Sequence, residues 1–210
     1  MIAGALVRLS KLISGARAVF TKPIEGDTQR IFFANHTSHL DFIVVWSALP
    51  ENLRVNTRPV AGRDYWEKGV IRRYLSAKVF KGILIDRTPR SASSEEKQEA
   101  ARAAIERMAE EMGSDNSIIV FPEGTRGTGD EISPFKSGLY HLCRLRPNVQ
   151  LVPVYLDNMN RILPKGEALP VPMLSRVVFG EPMEMRRDEP KDAFLERARS
   201  ALEKLRENHG

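Results

Sequence analysis

The chain has 210 residues, of which 42% are hydrophobic and 28% are charged, a composition that indicates a folded globular domain and excludes a disordered polypeptide. Its single cysteine, Cys143, excludes an internal disulfide and is expected to be a small buried hydrophobic residue. The net charge is +5, and the segment from Glu51 to Arg90 holds ten basic residues against four acidic ones. Such a segment favours nucleic acid, anionic lipid headgroups or a phosphorylated substrate as partner, and charge alone does not choose among them.

The N-terminal segment has the pattern of an amphipathic basic helix. Apolar side chains recur at three- and four-residue spacings as far as Phe20, with basic residues between them. Arg8 and Lys11 interrupt any signal-peptide core, so we expect no secretion signal. Three interpretations remain: a helix on an anionic membrane surface, a helix packed on the domain, and a mitochondrial transit peptide. We assign residues 1–24 to the membrane-surface helix and residues 25–210 to the folded domain.

Strand and helix patterns alternate through the rest of the chain. Ser38 is a candidate N-cap for the first of these helices, and a capping box of Ser93 and Glu96 begins the third. The alternation predicts a single α/β domain with a mostly parallel mixed sheet flanked by helices. The predicted strands are 30–35, 58–62, 82–87, 117–121, 149–156 and 175–180, and the predicted helices are 38–49, 63–80, 93–113, 136–146 and 191–208.

Polar clusters follow three of the predicted strands directly. They are NHTSHLD at 35–41, DRTPR at 86–90 and PEGTRG at 122–127. Functional groups in α/β folds collect where strands end and loops begin. Three charged clusters at three strand ends therefore predict one shared site.

His36 and Asp41 are candidates for a catalytic pair in the first cluster. A carboxylate that accepts a hydrogen bond from one imidazole nitrogen leaves the other nitrogen basic, able to take a proton from an attacking hydroxyl. The spacing alone is weak, because Asp41 also suits a helix N-terminus and His36 can simply pack. Adding His39 raises a metal site as a third, less favoured interpretation, since no zinc motif is present.

The third cluster has the residue types that bind a phosphate. Arg126 is suited to bidentate contact, Gly124 allows close backbone approach, and Lys136 adds a donor near a helix N-terminus. Arg87 follows another strand end and has the same chemistry. Alternatively, the acidic residues, among them Glu123, pair with these arginines and only tie the loops together.

These motifs in combination resemble the ordered blocks of the glycerolipid acyltransferase family, which includes the 1-acyl-glycerol-3-phosphate acyltransferases. The resemblance rests on NHTSHLD, on the DR pair at 86–87, on FPEGTRG at 121–127 and on LVPVYL at 151–156. It covers about residues 30 to 160 and implies a glycerophosphate acyltransferase-like fold.

The resemblance also implies roles for individual residues. His36 becomes the general base and Asp41 its orienting partner, with Asn35 and Ser38 shaping the loop. Val152 and Pro153 of the fourth block are expected to support the acyl-donor channel. The acceptor phosphate is expected to contact Arg87, Glu123, Gly124, Thr125, Arg126 and Lys136.

The implied activity is transfer of a fatty acyl group from acyl-CoA or acyl-carrier protein to the free hydroxyl of a lysophospholipid. Lysophosphatidic acid is the leading acceptor, and glycerol-3-phosphate, another lysophospholipid or an amino-lipid are the alternatives. No metal, other cofactor or nucleic-acid partner is expected, and the expected location is peripheral, on the cytoplasmic face of a membrane. The non-enzymatic alternative is a basic module that binds membrane or nucleic acid, although the interleaved aromatics of a single-strand binder are largely missing.

Overall fold

A seven-stranded sheet forms the centre of the computed structural model, which describes residues 4, 7–8, 15–26, 28–38, 40–86, 88–89, 91–129, 131–157 and 175–209. Within those residues the strands are β1 Arg17–Phe20, β2 Arg30–Ala34, β3 Thr57–Gly62, β4 Ile83–Ile85, β5 Ser117–Val120, β6 Gln150–Asp157 and β7 Arg176–Phe179. The helices are α1 Asp41–Ala48, α2 Glu51–Arg54, α3 Arg63–Trp66, α4 Val70–Tyr74, α5 Ser94–Met112, α6 Gly138–Leu145 and α7 Lys191–His209, with a π-helical turn at Leu75–Val79 after α4.

The sheet is mixed and mostly parallel, which confirms the predicted fold class. Its strand order is β1-β7-β6-β2-β5-β3-β4, and the run from β6 to β4 is parallel throughout. β7 is antiparallel to β6, and β1 adds to the edge in parallel with β7. The carboxyl ends of β2, β5, β3 and β4 therefore lie side by side at one edge of the sheet.

Strand β2 at the centre is apolar on both faces because helices cover both faces of the sheet. Successive side chains of a strand point to opposite sides. Ile31 and Phe33 join the core cluster under α5, α6 and α7, whereas Phe32 and Ala34 join the cluster that contains α1. A continuous apolar run is what a buried parallel strand requires, and every residue of β2 is buried.

The predicted N-terminal helix, assigned to residues 1–24, is wrong from Arg17 onward. Arg17–Phe20 forms β1, and the ring of Phe20 stacks on Phe179 of β7 with centroids 4.6 Å apart. Pairing with a neighbouring strand overrides the helical spacing, because Val19 and Phe20 pack well on a pleated surface. Gly4, Val7 and Arg8 are helical, and the other residues before Gly15 lie outside the described residues. Because β1 pairs with β7, the folded domain begins before the predicted boundary at residue 24. Membrane binding by the N-terminal segment stays a prediction.

Two helix predictions also need correction. Ser38 is not the N-cap of α1, because the helix begins after Leu40 and Ser38 stays in the loop, held through its backbone N–H by Asp41 Oδ2 at 2.8 Å. The single helix predicted at 63–80 is broken at Gly69. Its φ of 87° is a left-handed conformation that glycine adopts readily and that an α-helix does not contain. The capping box is confirmed, since Ser93 and Glu96 exchange both hydrogen bonds at the start of α5.

Cys143 is buried in α6, as expected for a core cysteine. Its side chain is 1% exposed, and burial raises the pKa of the thiol to about 12. The thiol is therefore protonated at neutral pH and closed to reagents, because the thiolate is the reactive form.

No helix within the described residues is both long enough and apolar enough to cross a bilayer.

Candidate active site

The loops that follow β2 and β5 are joined by hydrogen bonds at the carboxyl edge of the sheet. The backbone N–H of His36 donates to Glu123 Oε1 at 2.8 Å, and the backbone N–H of Gly127 donates to the carbonyl of His36 at 2.8 Å. Adjacent parallel strands bring these loops together, and the two bonds fix their relative position. The first and third of the three polar clusters that were predicted to share a site therefore lie together.

His36 and Asp41 form a hydrogen-bonded pair. His36 Nδ1 lies 2.9 Å from Asp41 Oδ2, and the Asp41 side chain is fully buried. The same oxygen accepts the backbone N–H of Thr37 at 2.6 Å and of Ser38 at 2.8 Å. Because Asp41 can only accept, the contact assigns the proton to Nδ1 and leaves the lone pair on Nε2.

The imidazole of His36 lies at the border of a pocket of about 330 Å³. Its ring stacks on Phe121 with centroids 4.3 Å apart, and its side chain is 22% exposed. Since Nδ1 faces the buried aspartate, Nε2 lies on the far side of the ring. The nitrogen that is free to accept a proton is thus the one directed away from the core.

Most of the pocket lining is apolar. Its walls include Phe42, Tyr65, Trp66, Ile85, Met108 and Leu142, and its polar residues include His36 and Lys136. Such a cavity suits a ligand with a hydrocarbon part and a reactive polar end. These wall residues cannot be recognised from the sequence, because they come from five separate elements and share no local pattern. The only signal was their apolar character, which core residues have as well.

Glu123 connects the two loops through Oε1 and holds its own loop together through Oε2. It is 4% exposed, Oε1 accepts the N–H of His36, and Oε2 accepts the N–H of Ser133 at 3.0 Å. A carboxylate committed to two backbone donors is a positioning group, and its charge would repel a phosphate. This placement differs from the predicted role of Glu123 in phosphate binding, and it also differs from the alternative pairing with an arginine.

Gly124 has a left-handed backbone conformation that favours glycine, and the flexible end of the Lys136 side chain lies over it. The φ of Gly124 is 71°, and a Cβ at this position would lie 2.8 Å from Cδ, Cε and Nζ of Lys136. The backbone N–H of Lys136 donates to the carbonyl of Pro122 at 2.9 Å, which holds the lysine over the turn. Within the described residues neither Lys136 nor the half-buried Arg126 has an acidic partner. Thr125 is exposed in the same turn.

The remaining predicted site residues fall into three groups. Asn35 ties the loop after β2 to β6, since its side-chain amide exchanges two hydrogen bonds with the backbone of Leu156 at 3.0 and 2.8 Å. Val152 and Pro153 are buried within β6 and do not line the pocket, so the structure places them in the core and not in a donor channel. Arg87 lies outside the described residues.

Two further features complete the site's surroundings. Asp86 accepts a hydrogen bond from Arg63 Nε at 2.8 Å, so the acid at the end of β4 pairs with an arginine of α3. Hydrogen bonding to Glu67 and then to Asp86 raises the pKa of Arg63.

No three His, Cys, Asp or Glu side chains among the described residues are arranged to hold a metal, and His39, the third potential ligand, lies outside them.

Residues 17–157, well over half of the chain, match the family model described as Acyltransferase. The chain belongs to the acyltransferase family. The matched region contains the His36–Asp41 pair, Glu123 and Lys136, and therefore the whole described site.

This acyltransferase domain is similar in sequence to several curated proteins named 1-acyl-sn-glycerol-3-phosphate acyltransferase. The one from Limnanthes douglasii is 32% identical over 147 residues, which cover 68% of this chain and 47% of that protein. The one from Escherichia coli strain K12 is 27% identical over 169 residues, which cover 74% and 60% respectively. The chain spans about half the length of the curated relatives it matches.

The fold of the acyltransferase domain is also that of a solved structure. The crystal structure of the 1-acyl-sn-glycerophosphate acyltransferase PlsC from Thermotoga maritima superposes with a TM-score of 0.70 at 19% identity. The alignment covers 99% of this chain and 80% of that one.

Replacement of Glu123 by glutamine tests its positioning role. The amide offers one acceptor oxygen where the carboxylate offers two, so a buried backbone N–H loses its partner. We expect the free energy of unfolding to fall by about 1–3 kcal/mol, measured by urea denaturation. Glu110→Gln on the exposed face of α5 is the matched control and should leave the stability unchanged. Equal stability of Glu123→Gln and the unmodified chain would contradict the role.

Proposed function

We propose that this chain is an O-acyltransferase that moves a fatty acyl group from an acyl thioester to the free hydroxyl of a lysophospholipid, with 1-acyl-glycerol-3-phosphate as the acceptor. The observation that carries the proposal is the His36–Asp41 pair at the polar border of a largely apolar pocket. Family membership and the names of the relatives support the same reaction class.

In the proposed reaction His36 acts as the general base. Nε2 removes the proton of the acceptor hydroxyl as the oxygen attacks the thioester carbonyl carbon. The tetrahedral intermediate collapses with cleavage of the carbon–sulfur bond, and the imidazolium returns its proton to the thiolate. Asp41 stabilises the imidazolium and holds the ring in the reactive tautomer, as in other pairs of this kind.

The acceptor phosphate is proposed to bind the cations beside Gly124. Lys136 and Arg126 have no acidic partner within the described residues, so their charges are available to a dianion. Gly124 leaves room for the Lys136 side chain over the turn, Thr125 offers a hydroxyl, and Arg87 remains a further candidate on sequence grounds. Charge-assisted contacts of this kind are stronger than neutral ones.

The acyl chains are proposed to occupy the apolar part of the pocket. Acyl-CoA and acyl-carrier protein are both suitable donors, since either presents a thioester at the end of a long carrier. We propose that the protein acts at the cytoplasmic surface of a membrane, where its acceptor resides, without a metal or other cofactor in any step.

Substitution of His36 tests the proposed base. We expect His36→Ala to lower the rate of thiol release from acyl-CoA, with lysophosphatidic acid as acceptor, by at least about 100-fold, because no other group takes the proton. His209→Ala near the end of α7 removes a histidine away from the pocket and should leave the rate unchanged. Near-normal turnover in a His36→Ala protein with an unchanged circular dichroism spectrum would contradict the proposal.

Substitution of the two cations tests acceptor binding. We expect Lys136→Met and Arg126→Ala each to raise the KM for lysophosphatidic acid by about tenfold or more, with little change in the KM for acyl-CoA. Methionine keeps an unbranched stem over Gly124, so the lysine variant removes mainly the charge. Lys204→Met on the exposed face of α7 is the control. If the KM for the acceptor stays constant, these cations do not bind its phosphate.

A further inference from the structure

Residues 68–81, here called the docking segment, expose large apolar side chains next to the pocket. Val70 is 75% exposed, Ile71 76% and Tyr74 47%. In α4 these three side chains fall within about 100° of the helix circumference, so they form one apolar stripe. Clustered exposed apolar residues of this kind mark interaction sites, whereas single ones are ordinary.

The docking segment also accounts for the net positive charge of the protein. It contains five basic residues and no acidic one, and the whole chain has a net charge of +5. The rest of the chain is therefore electrically balanced, and the excess is concentrated beside the apolar stripe. The five basic residues are Lys68, Arg72, Arg73, Lys78 and Lys81.

The docking segment is attached directly to the wall of the pocket. The guanidinium of Arg72 lies 4.2 Å from the ring centroid of Tyr65. Phe80, at the far end of the segment, is 2% exposed and meets the rings of Phe42 and Trp66 with centroids 5.2 and 6.0 Å away. Tyr65, Trp66 and Phe42 all line the pocket. Whatever binds the docking segment is thus held beside the proposed acyl site.

We propose that the docking segment binds the surface of an anionic lipid bilayer. The apolar stripe enters the headgroup region, and the basic side chains contact lipid phosphates, as in interfacial amphipathic helices. A nucleic acid would match the charge but leave Val70 and Ile71 in water, and a second copy of the chain would bring like charges together. This proposal rests on the proposed function, because a membrane would supply the lysophospholipid acceptor.

A fluorescent label at position 71 tests insertion directly in the full chain. Ile71→Cys is labelled with nitrobenzoxadiazole under native conditions, where Cys143 is buried and its thiol protonated. We expect its emission to rise with vesicles of phosphatidylcholine and phosphatidylglycerol in equal parts and to change little with phosphatidylcholine alone. Val55→Cys, at a site 58% exposed outside the docking segment, is the control. No rise at position 71, or an equal rise at position 55, would overturn the proposal.

Vesicle sedimentation separates the two parts of the docking segment. We expect Val70→Ser with Ile71→Ser, and separately Arg73→Gln with Lys78→Gln, to weaken binding to the anionic vesicles by about tenfold or more. The controls remove the same kinds of group elsewhere. They are Val55→Ser with Leu145→Ser, and Arg187→Gln with Lys204→Gln, and they should bind within about twofold of the unmodified chain.

Other outcomes of this experiment overturn the proposal. They are unchanged binding by both docking variants, an equal loss in the controls, or a dimer in analytical ultracentrifugation that the Val70→Ser, Ile71→Ser variant dissociates.

Activity on a short-chain, water-soluble lysophosphatidate distinguishes this inference from the proposed function. The docking variants should transfer acyl groups to that acceptor at the unmodified rate, because the pocket and His36 are untouched. A protein that binds anionic vesicles through the docking segment but never acylates the acceptor would contradict the proposed function and leave the inference standing. An active enzyme whose docking variants bind vesicles normally would contradict the inference alone.

Discussion

The site depends on one buried oxygen atom. Asp41 Oδ2 accepts His36 Nδ1 and the backbone N–H groups of Thr37 and Ser38, all within 2.9 Å. A buried carboxylate is costly unless hydrogen bonds replace its hydration. The three donors supply that replacement at Oδ2, whereas the buried Oδ1 has no hydrogen-bond partner among the described residues. The same contacts give the loop after β2 its shape. His36 therefore cannot turn away from Asp41 without removing one of the hydrogen bonds of a buried carboxylate, and the fold sets the tautomer of its ring.

Glu123 extends this constraint to the neighbouring strand. Its carboxylate joins the N–H of His36 on one loop to the N–H of Ser133 on the chain beyond the other. The parallel order of β2 and β5 makes the contact possible, because both strands deliver their loops to the same edge of the sheet. Two buried acids thus hold one partly exposed histidine, which faces an apolar pocket. The lysine over Gly124 supplies positive charge at the same border.

Most of the fold and the polar part of the site can be predicted from the sequence. Buried strands such as RIFFA have an apolar run that local pattern reading detects, and charged clusters directly after such strands indicated a shared edge. The last residues of the N-terminal segment were misassigned because strand pairing of Val19 and Phe20 with β7 is a long-range contact that no local spacing encodes. The contacts of Glu123 were not foreseen either, since its donor His36 lies 87 residues away and its donor Ser133 lies ten residues away in an irregular loop. The apolar walls escaped prediction because pocket and core residues have the same chemistry.

The turnover number of Asp41→Asn tests most directly whether Asp41 fixes His36 as the base. Asparagine keeps the size of the side chain and an acceptor oxygen for the loop, but it loses the negative charge that stabilises the imidazolium. We predict a fall in kcat of at least about 100-fold, with the KM values for acyl-CoA and lysophosphatidic acid nearly unchanged. A folded Asp41→Asn protein with a kcat close to that of the unmodified chain would contradict it.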